Sequence, residues 1–180
     1  MRRRLTRIAA AVLILTLVAA VAGFFVMRHL YPKKYEDVIL KYAEEYGLEP
    51  ELVFAVIKCE SNFDEGAVSR ANAHGLMQIT HETMEWAAAR HGHKETGLSL
   101  TDPDTNVRYG CAILSLLKDE FSYTSVVLAA YNAGRSRVKG WLDDPELSSD
   151  GKTLGHIPYR ETRGYVAKVI KAYKIYQTIY

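Results

Sequence analysis

The chain has 180 residues, 48% of them hydrophobic, and a formal net charge of +2. That length fits one domain, and the apolar content is enough for a packed core, which excludes an intrinsically disordered chain. The near-neutral balance, with no basic run outside the N-terminus, gives no electrostatic footprint for nucleic acid.

Arg2, Arg3, Arg4 and Arg7 precede residues 8–27, twenty positions without a charge. A run of that length suits a membrane-spanning helix. The arginines hold residues 1–7 in the cytoplasm and send the rest outward. Residues 28–35 then form a short link to a domain over 36–180. A cleaved signal peptide is the rival reading, because Ala20-Val21-Ala22 resembles a cleavage site. Against it, Gly23-Phe24-Phe25-Val26-Met27 continues the apolar run past that site. Either reading exports the domain, so Cys59 and Cys111 occupy a compartment where a disulfide can persist. Two buried free thiols and one bridge both fit the spacing.

From residue 35 the apolar period is helical nearly throughout. The first helix of the domain covers 35–46, with Val38, Ile39, Tyr42 and Ala43 on one face and Gly47 as its stop. Pro50 fits the first turn of the next, which ends at Glu60. Residues 61–78 are irregular, with Gly66, Asn72 and Gly75. Thr80 caps a helix to about Arg90, and residues 92–104 make a second loop. Thr105 or Asn106 opens a helix bearing Val107, Cys111, Leu114 and Leu117. Residues 125–132 form another, stopped at Ala133-Gly134, and a short helix follows over 135–142. After a polar loop, the last helix starts near Glu161 and buries Val166, Val169, Ile170, Tyr173 and either Tyr176 or Gln177. No sustained strand alternation and no repeat occur. The fold class is all-α.

One position breaks the pattern. Val53, Val56 and Ile57 define an apolar face whose next member is Glu60. A carboxylate there is partly desolvated, and desolvation raises its pKa. Cys59, about 100° further round an ideal helix, points away from the Glu60 side. Three further polar clusters stand out. Gly75-Leu76-Met77-Gln78 follows the irregular loop, Ala130-Tyr131-Asn132-Ala133-Gly134 breaks a helix, and Pro158-Tyr159-Arg160-Glu161-Thr162-Arg163-Gly164-Tyr165 opens the last one. Rings beside amides and carboxylates suit a sugar, which offers apolar faces and many hydroxyls. Each cluster alone also has a plain structural reading: Met77 as core, Asn132 as a helix cap, Glu161 with Arg163 as a surface pair. No cofactor or metal is expected. His81-Glu82-Thr83-Met84-Glu85 begins like a zinc-protease helix, but Glu85 stands where the second histidine is required.

In this order and spacing, Glu60-Ser61 with Phe63, Ala67 and Ser69, Gly75-Leu76-Met77-Gln78, Ala130-Tyr131-Asn132-Ala133-Gly134 and Glu161-Thr162-Arg163-Gly164-Tyr165-Val166 resemble the catalytic domain of the soluble lytic transglycosylases. The likeness covers about residues 36–180. It implies a lysozyme-like helical domain, behind one transmembrane helix, that cuts peptidoglycan glycan strands outside the cytoplasm. By that resemblance Glu60 is the catalytic acid and base, and Ser69, Gln78 and Tyr131 line the sugar cleft. Met77 and Asn132 shape its wall, and Glu161 stands near the catalytic carboxylate. Two departures occur: His81 replaces a frequent proline, and Thr80 a frequent methionine.

The chemistry so implied needs one acid. Glu60 protonates the oxygen of the MurNAc–GlcNAc bond, then removes the proton from the C6 hydroxyl of the same muramic acid, which closes a 1,6-anhydro ring. A hydrolytic lysozyme of this fold needs a second acid, for which Asp64 is the obvious candidate. A non-catalytic wall-binding protein has no need of Glu60.

Overall fold

A computed structural model of the chain describes residues 2–93 and 97–180. Met1 of the predicted 1–7 segment and residues 94–96 of the predicted 92–104 loop lie outside them, as do the side chains of Arg2, Arg3, Leu5, Ile8 and Ala11. All regular structure among the described residues is helical. The elements are α1 (Arg2–Leu30), α2 (Glu36–Glu45), α3 (Pro50–Glu60), α4 (His81–His91), α5 (Pro103–Glu120), α6 (Thr124–Ala133), α7 (Arg135–Leu142) and α8 (Arg160–Ile179). Two isolated β-bridges, Val68–His74 and His74–Ile79, tie the loop between α3 and α4.

Helix α1 carries one stretch long and apolar enough to cross a membrane, Val12–Leu30, with a mean hydropathy of 2.0 and none of it buried in the domain. The rest of the chain forms a closed ring of contacts in which α3 packs on α8, α8 on α6, α6 on α5, α5 on α2 and α2 on α3. Helices α4 and α7 lean on α5 and α6 from outside.

The sequence gives α3 one apolar face, but the helix is buried on every side. Leu52 to Ile57 are all enclosed, each at most 4% exposed. Leu52, Phe54 and Ala55 are themselves apolar, and a helix apolar all round belongs inside a core. Only as α3 leaves the core do Lys58, Cys59 and Glu60 become half-buried. The burial of α8 also shifts: Thr162, Tyr165, Val166, Val169, Ala172 and Tyr176 face inward, whereas Ile170 and Tyr173 are half-buried and Gln177 is exposed.

Helix α5 starts earlier than Thr105 or Asn106. The Asp102 carboxylate accepts the Thr105 N–H at 2.9 Å and Pro103 occupies the first turn. The dipeptide that reads as a loop is a cap followed by a proline at N1, both favoured there. Asn106 is therefore inside the helix and wholly buried. At α4 the expected cap holds: the Thr80 hydroxyl accepts the Thr83 N–H at 3.2 Å. It does at the helix start what the missing proline would have done by restricting φ.

Candidate active site

The chain between α3 and α4 is anchored at three points. Ser61, the residue after Glu60, donates its hydroxyl to the Leu76 carbonyl at 2.8 Å. Asn106 accepts the Met77 N–H at 2.7 Å and donates to the carbonyls of His74 and Leu100 at 2.8 and 2.7 Å. The Tyr131 hydroxyl donates to the Met77 carbonyl at 2.8 Å. The peptide groups of Met77 are thus held from α5 on one side and α6 on the other. Gly75 adopts φ +73°, and a Cβ there would lie 2.4 Å from both Asn106 Nδ2 and the Leu100 carbonyl, so only glycine fits.

Glu60 opens onto a cavity of about 630 Å³ lined by Cys59, Asn132, Arg160, Glu161, Gly164, Tyr165 and Lys168. Helices α3, α6 and α8 each contribute. Burial pushes the Glu60 carboxyl up to about 7. The Tyr165 hydroxyl lies near enough to oppose that shift by favouring the charged form. It is buried and makes no hydrogen bond of standard geometry among the described residues. Burial, and then the Glu60 charge, raise the Tyr165 and Tyr131 phenols well above their ordinary range, so both remain neutral donors. Cys59 does not point away from this region: it lines the cavity beside Glu60, and burial lifts its thiol to about 11. A cavity this wide takes in side chains 100° apart on one helix end. Cys111 is buried in the core, and both thiols are free.

The sequence-derived site residues fall into two groups. Glu60, Asn132 and Glu161 share the cavity, and Tyr131 is coupled electrostatically to Glu60. Tyr131 also lines a neighbouring cavity of about 410 Å³ with Thr83, Trp86 and Arg137. Ser69, Gln78 and Met77 line neither cavity. The exposed Ser69 closes the loop by accepting the Ala73 N–H at 3.1 Å. Gln78, at φ +48°, donates its side-chain amide to the carbonyls of Ala67 and Gly75 at 3.0 and 2.9 Å. Both amide protons are spent inside the loop, which leaves the side-chain oxygen as the group Gln78 can offer outward. Met77 is fully buried, and a Cβ on Gly110 would come within 2.2 Å of its sulfur. Asp64 is exposed, and its carboxylate accepts the Gly66 N–H at 3.0 Å in a local turn, apart from the cavity lining.

Tyr165 and Asn106 are the residues that sequence reasoning passed over. Asn106 carries the signal that exposes Glu60, a polar residue in register with apolar Tyr109, Gly110, Ile113 and Leu117. The aim of Tyr165 at Glu60 depends on how α8 meets α3, which no local pattern encodes.

The Transglycosylase SLT domain profile matches residues 37–152. The membrane-bound lytic murein transglycosylase C of Haemophilus ducreyi is 31% identical over 175 residues, covering 82% of this chain and 46% of that protein. The soluble lytic murein transglycosylase of Escherichia coli is 32% identical over 153 residues, covering 81% of this chain and 23% of its own. The chain therefore spans about half the length of the first relative and a quarter of the second. Among solved structures, an inactive mutant of the lytic transglycosylase Slt from Pseudomonas aeruginosa superposes with a TM-score of 0.72 at 32% identity, over 82% of this chain and 24% of that one. The 70 kDa soluble lytic transglycosylase of Escherichia coli gives 0.75 at 28%, over 84% and 25%. On the profile match, which takes in most of the chain beyond α1, this protein belongs to the Transglycosylase SLT domain family.

Proposed function

We propose that this chain is a membrane-anchored lytic transglycosylase that cleaves the MurNAc–GlcNAc bond of peptidoglycan outside the cytoplasm. The observation that carries the reading is Glu60, a half-buried carboxyl at the mouth of a 630 Å³ cavity with its pKa pushed up to about 7. At neutral pH a large fraction is protonated, as the acid that attacks a glycosidic oxygen must be. Once that proton is given, the same group is a carboxylate of matched basicity, ready to take the C6 hydroxyl proton of the muramic residue. Attack by the C6 hydroxyl is intramolecular, with effective molarities that reach about 10⁵–10⁸ M in well-oriented cases. No dedicated water is needed, and no water is consumed.

Tyr131 serves the sugar cleft, Asn132 its wall and Glu161 its rim, while Ser69, Gln78 and Met77 act from behind by fixing the loop between α3 and α4. Tyr165 hands Glu60 a neutral donor that stabilises the carboxylate between the two proton transfers. The anchor is α1, supported by the Val12–Leu30 stretch and by the likeness to the membrane-bound lytic murein transglycosylases C. Its arginines keep residues 1–7 in the cytoplasm and place the domain on the other side of the bilayer.

Full-length protein in detergent, incubated with purified peptidoglycan and read by mass spectrometry, tests the reading. The expected muropeptides end in 1,6-anhydro-MurNAc, weigh one water less than hydrolysis products and resist borohydride. Predominantly reducible ends would mean hydrolysis. Glu161, not Asp64, is then the second acid to replace, because it lines the cavity and Asp64 does not.

A further inference from the structure

Residues 31–35, between the apolar helix and the domain, do not run free. The Tyr176 hydroxyl donates to the Pro32 carbonyl at 3.0 Å, and the Tyr180 hydroxyl donates to the Tyr31 carbonyl at 3.0 Å. The Tyr31 ring meets Tyr176 edge-on at 5.7 Å, and Tyr176 stacks on Phe54 of α3 at 5.4 Å. Two cations hold the last residue. Arg28 lies 4.3 Å from the Tyr180 ring centre and Lys33 lies 4.7 Å from it. Lys33 also pairs with Glu36 at 2.9 Å, Lys58 sits over Tyr31 at 5.6 Å, and the Tyr35 hydroxyl donates to Glu65 at 2.7 Å. Every residue from 31 to 35 except the exposed Lys34 is thereby tied to the domain or packed against it.

The joined surface combines tyrosines with Arg28, Lys33, Lys34 and Lys58. Amphipathic rings and basic side chains with apolar stems are the groups that settle at a membrane–water interface. They occur where the 19-residue apolar stretch Val12–Leu30 ends. The same surface adjoins the candidate active site. Lys168 on the cavity wall is about 12 Å along the α8 axis from Tyr176, and Lys58, over Tyr31, precedes Cys59 and Glu60 in α3.

We propose that residues 31–35 and the C-terminal end of α8 form a latch that seats the domain on an anionic headgroup layer, so that the Glu60 cavity works on glycan within about 20 Å of the bilayer. This rests on α1 being a membrane anchor. The membrane-bound chain is then selective for strands lying at the membrane surface over the same strands held further out. Selectivity comes from geometry and not from a sugar contact.

The test uses full-length protein in vesicles of phosphatidylethanolamine and phosphatidylglycerol that carry an acceptor dye at the lipid surface. A donor dye on an unnatural amino acid replaces Thr178, in the last turn of α8, or Gly140 on α7, where an added Cβ meets nothing within 4 Å. Energy transfer from position 178 is expected to exceed that from 140 at least twofold. A twenty-residue Gly/Ser insertion between Leu30 and Tyr31, with an rms reach of about 25 Å, is expected to bring the two positions within a fifth of each other. The triple variant R28A/K33A/Y180A should do so without lengthening the chain. In the activity arm, cleavage of glycan tethered to the same vesicles, relative to free glycan, should fall at least threefold on insertion, with the rate on free glycan unchanged. Equal transfer from both positions in the native chain overturns the docking, as does a transfer difference or tethered-glycan preference that survives the insertion. Because energy transfer needs no turnover, an inactive protein that still shows the difference supports docking while refuting the transglycosylase reading. Protein that fails to float with the vesicles refutes the anchor and the docking with it.

Discussion

Glu60 at the end of α3 and Asn106 in the first turns of α5 are the same misfit, a polar side chain in register with apolar residues. Their surroundings differ. Asn106 is wholly buried and has both amide hydrogens and its oxygen engaged, all with backbone. Glu60 is half-buried, is pushed up to about 7, and has near it a tyrosine hydroxyl in no standard hydrogen bond. A polar group with every partner supplied is part of the scaffold, because burial without partners costs several kcal/mol. A group left short of partners at a cavity wall retains the capacity for chemistry. The contrast marks Asn106 as scaffold and leaves Glu60 as the group that the proposed function uses.

The largest expected effect breaks the contrast on the Glu60 side. Glu60→Gln keeps shape and polarity but can neither give nor take the proton. General acid–base assistance is worth about 10²–10⁴-fold for one step, and in the proposed reaction one residue serves two. Muropeptide release should drop to background while the circular dichroism spectrum is unchanged. A variant that retains a tenth of normal turnover would remove Glu60 from its role.

Asn106→Ala should do the reverse. It strands the Met77 N–H and the carbonyls of His74 and Leu100, at a cost of roughly 3–5 kcal/mol in denaturant unfolding. Asn106→Asp should recover only part, since it can accept from Met77 but cannot donate to two carbonyls. A fully stable Asn106→Ala chain would show that the buried amide is dispensable.

The third prediction concerns pH. The proposed acid catalysis requires protonated Glu60, so kcat/KM should fall about tenfold per pH unit above about 7. Stability is linked to the same proton. The folded chain keeps it up to about 7, whereas the unreshaped side chain releases it near 4.5. The native state therefore binds more protons between those values, and stability must decrease as pH rises through that window. The loss is of order 1–3 kcal/mol above pH 7. Glu60→Gln should abolish the slope and melt later than the native chain at pH 8. The same pH–stability slope in both proteins would place the proton elsewhere.

The smallest effect tests the local signal that substitutes for proline. Thr80→Ala removes the acceptor for the Thr83 N–H and should cost about 1 kcal/mol. Turnover should stay within a factor of two, which an assay at saturating glycan will show.

Where a single residue dictates local geometry, the sequence was readable. Pro50 starts α3, Thr80 caps α4, and Gly134, at φ +94°, separates α6 from α7. The Asp102-Pro103 signal is equally local but ambiguous, because the same dipeptide serves turns and helix starts. The burial of α3 on all sides was less accessible. Periodicity marks one face and is silent about Phe54 and Ala55, which any apolar surroundings will accept. In the site, the misfit at Glu60 and the polar clusters at Asn132 and Glu161 could be picked out along the chain. The outward turn of Cys59 into the cavity and the approach of Tyr165 could not, since both depend on the packing of α8 against α3.

Met77 gives the two-sided clamp a thermodynamic meaning. Its N–H is fixed from α5 and its carbonyl from α6, so the backbone of this loop has lost its freedom before any ligand arrives. A flexible loop would lose that entropy on binding, at about 1–2 kcal/mol per residue fixed. Here the loss falls on the folding equilibrium instead, and whatever enters beside the loop finds its backbone already ordered.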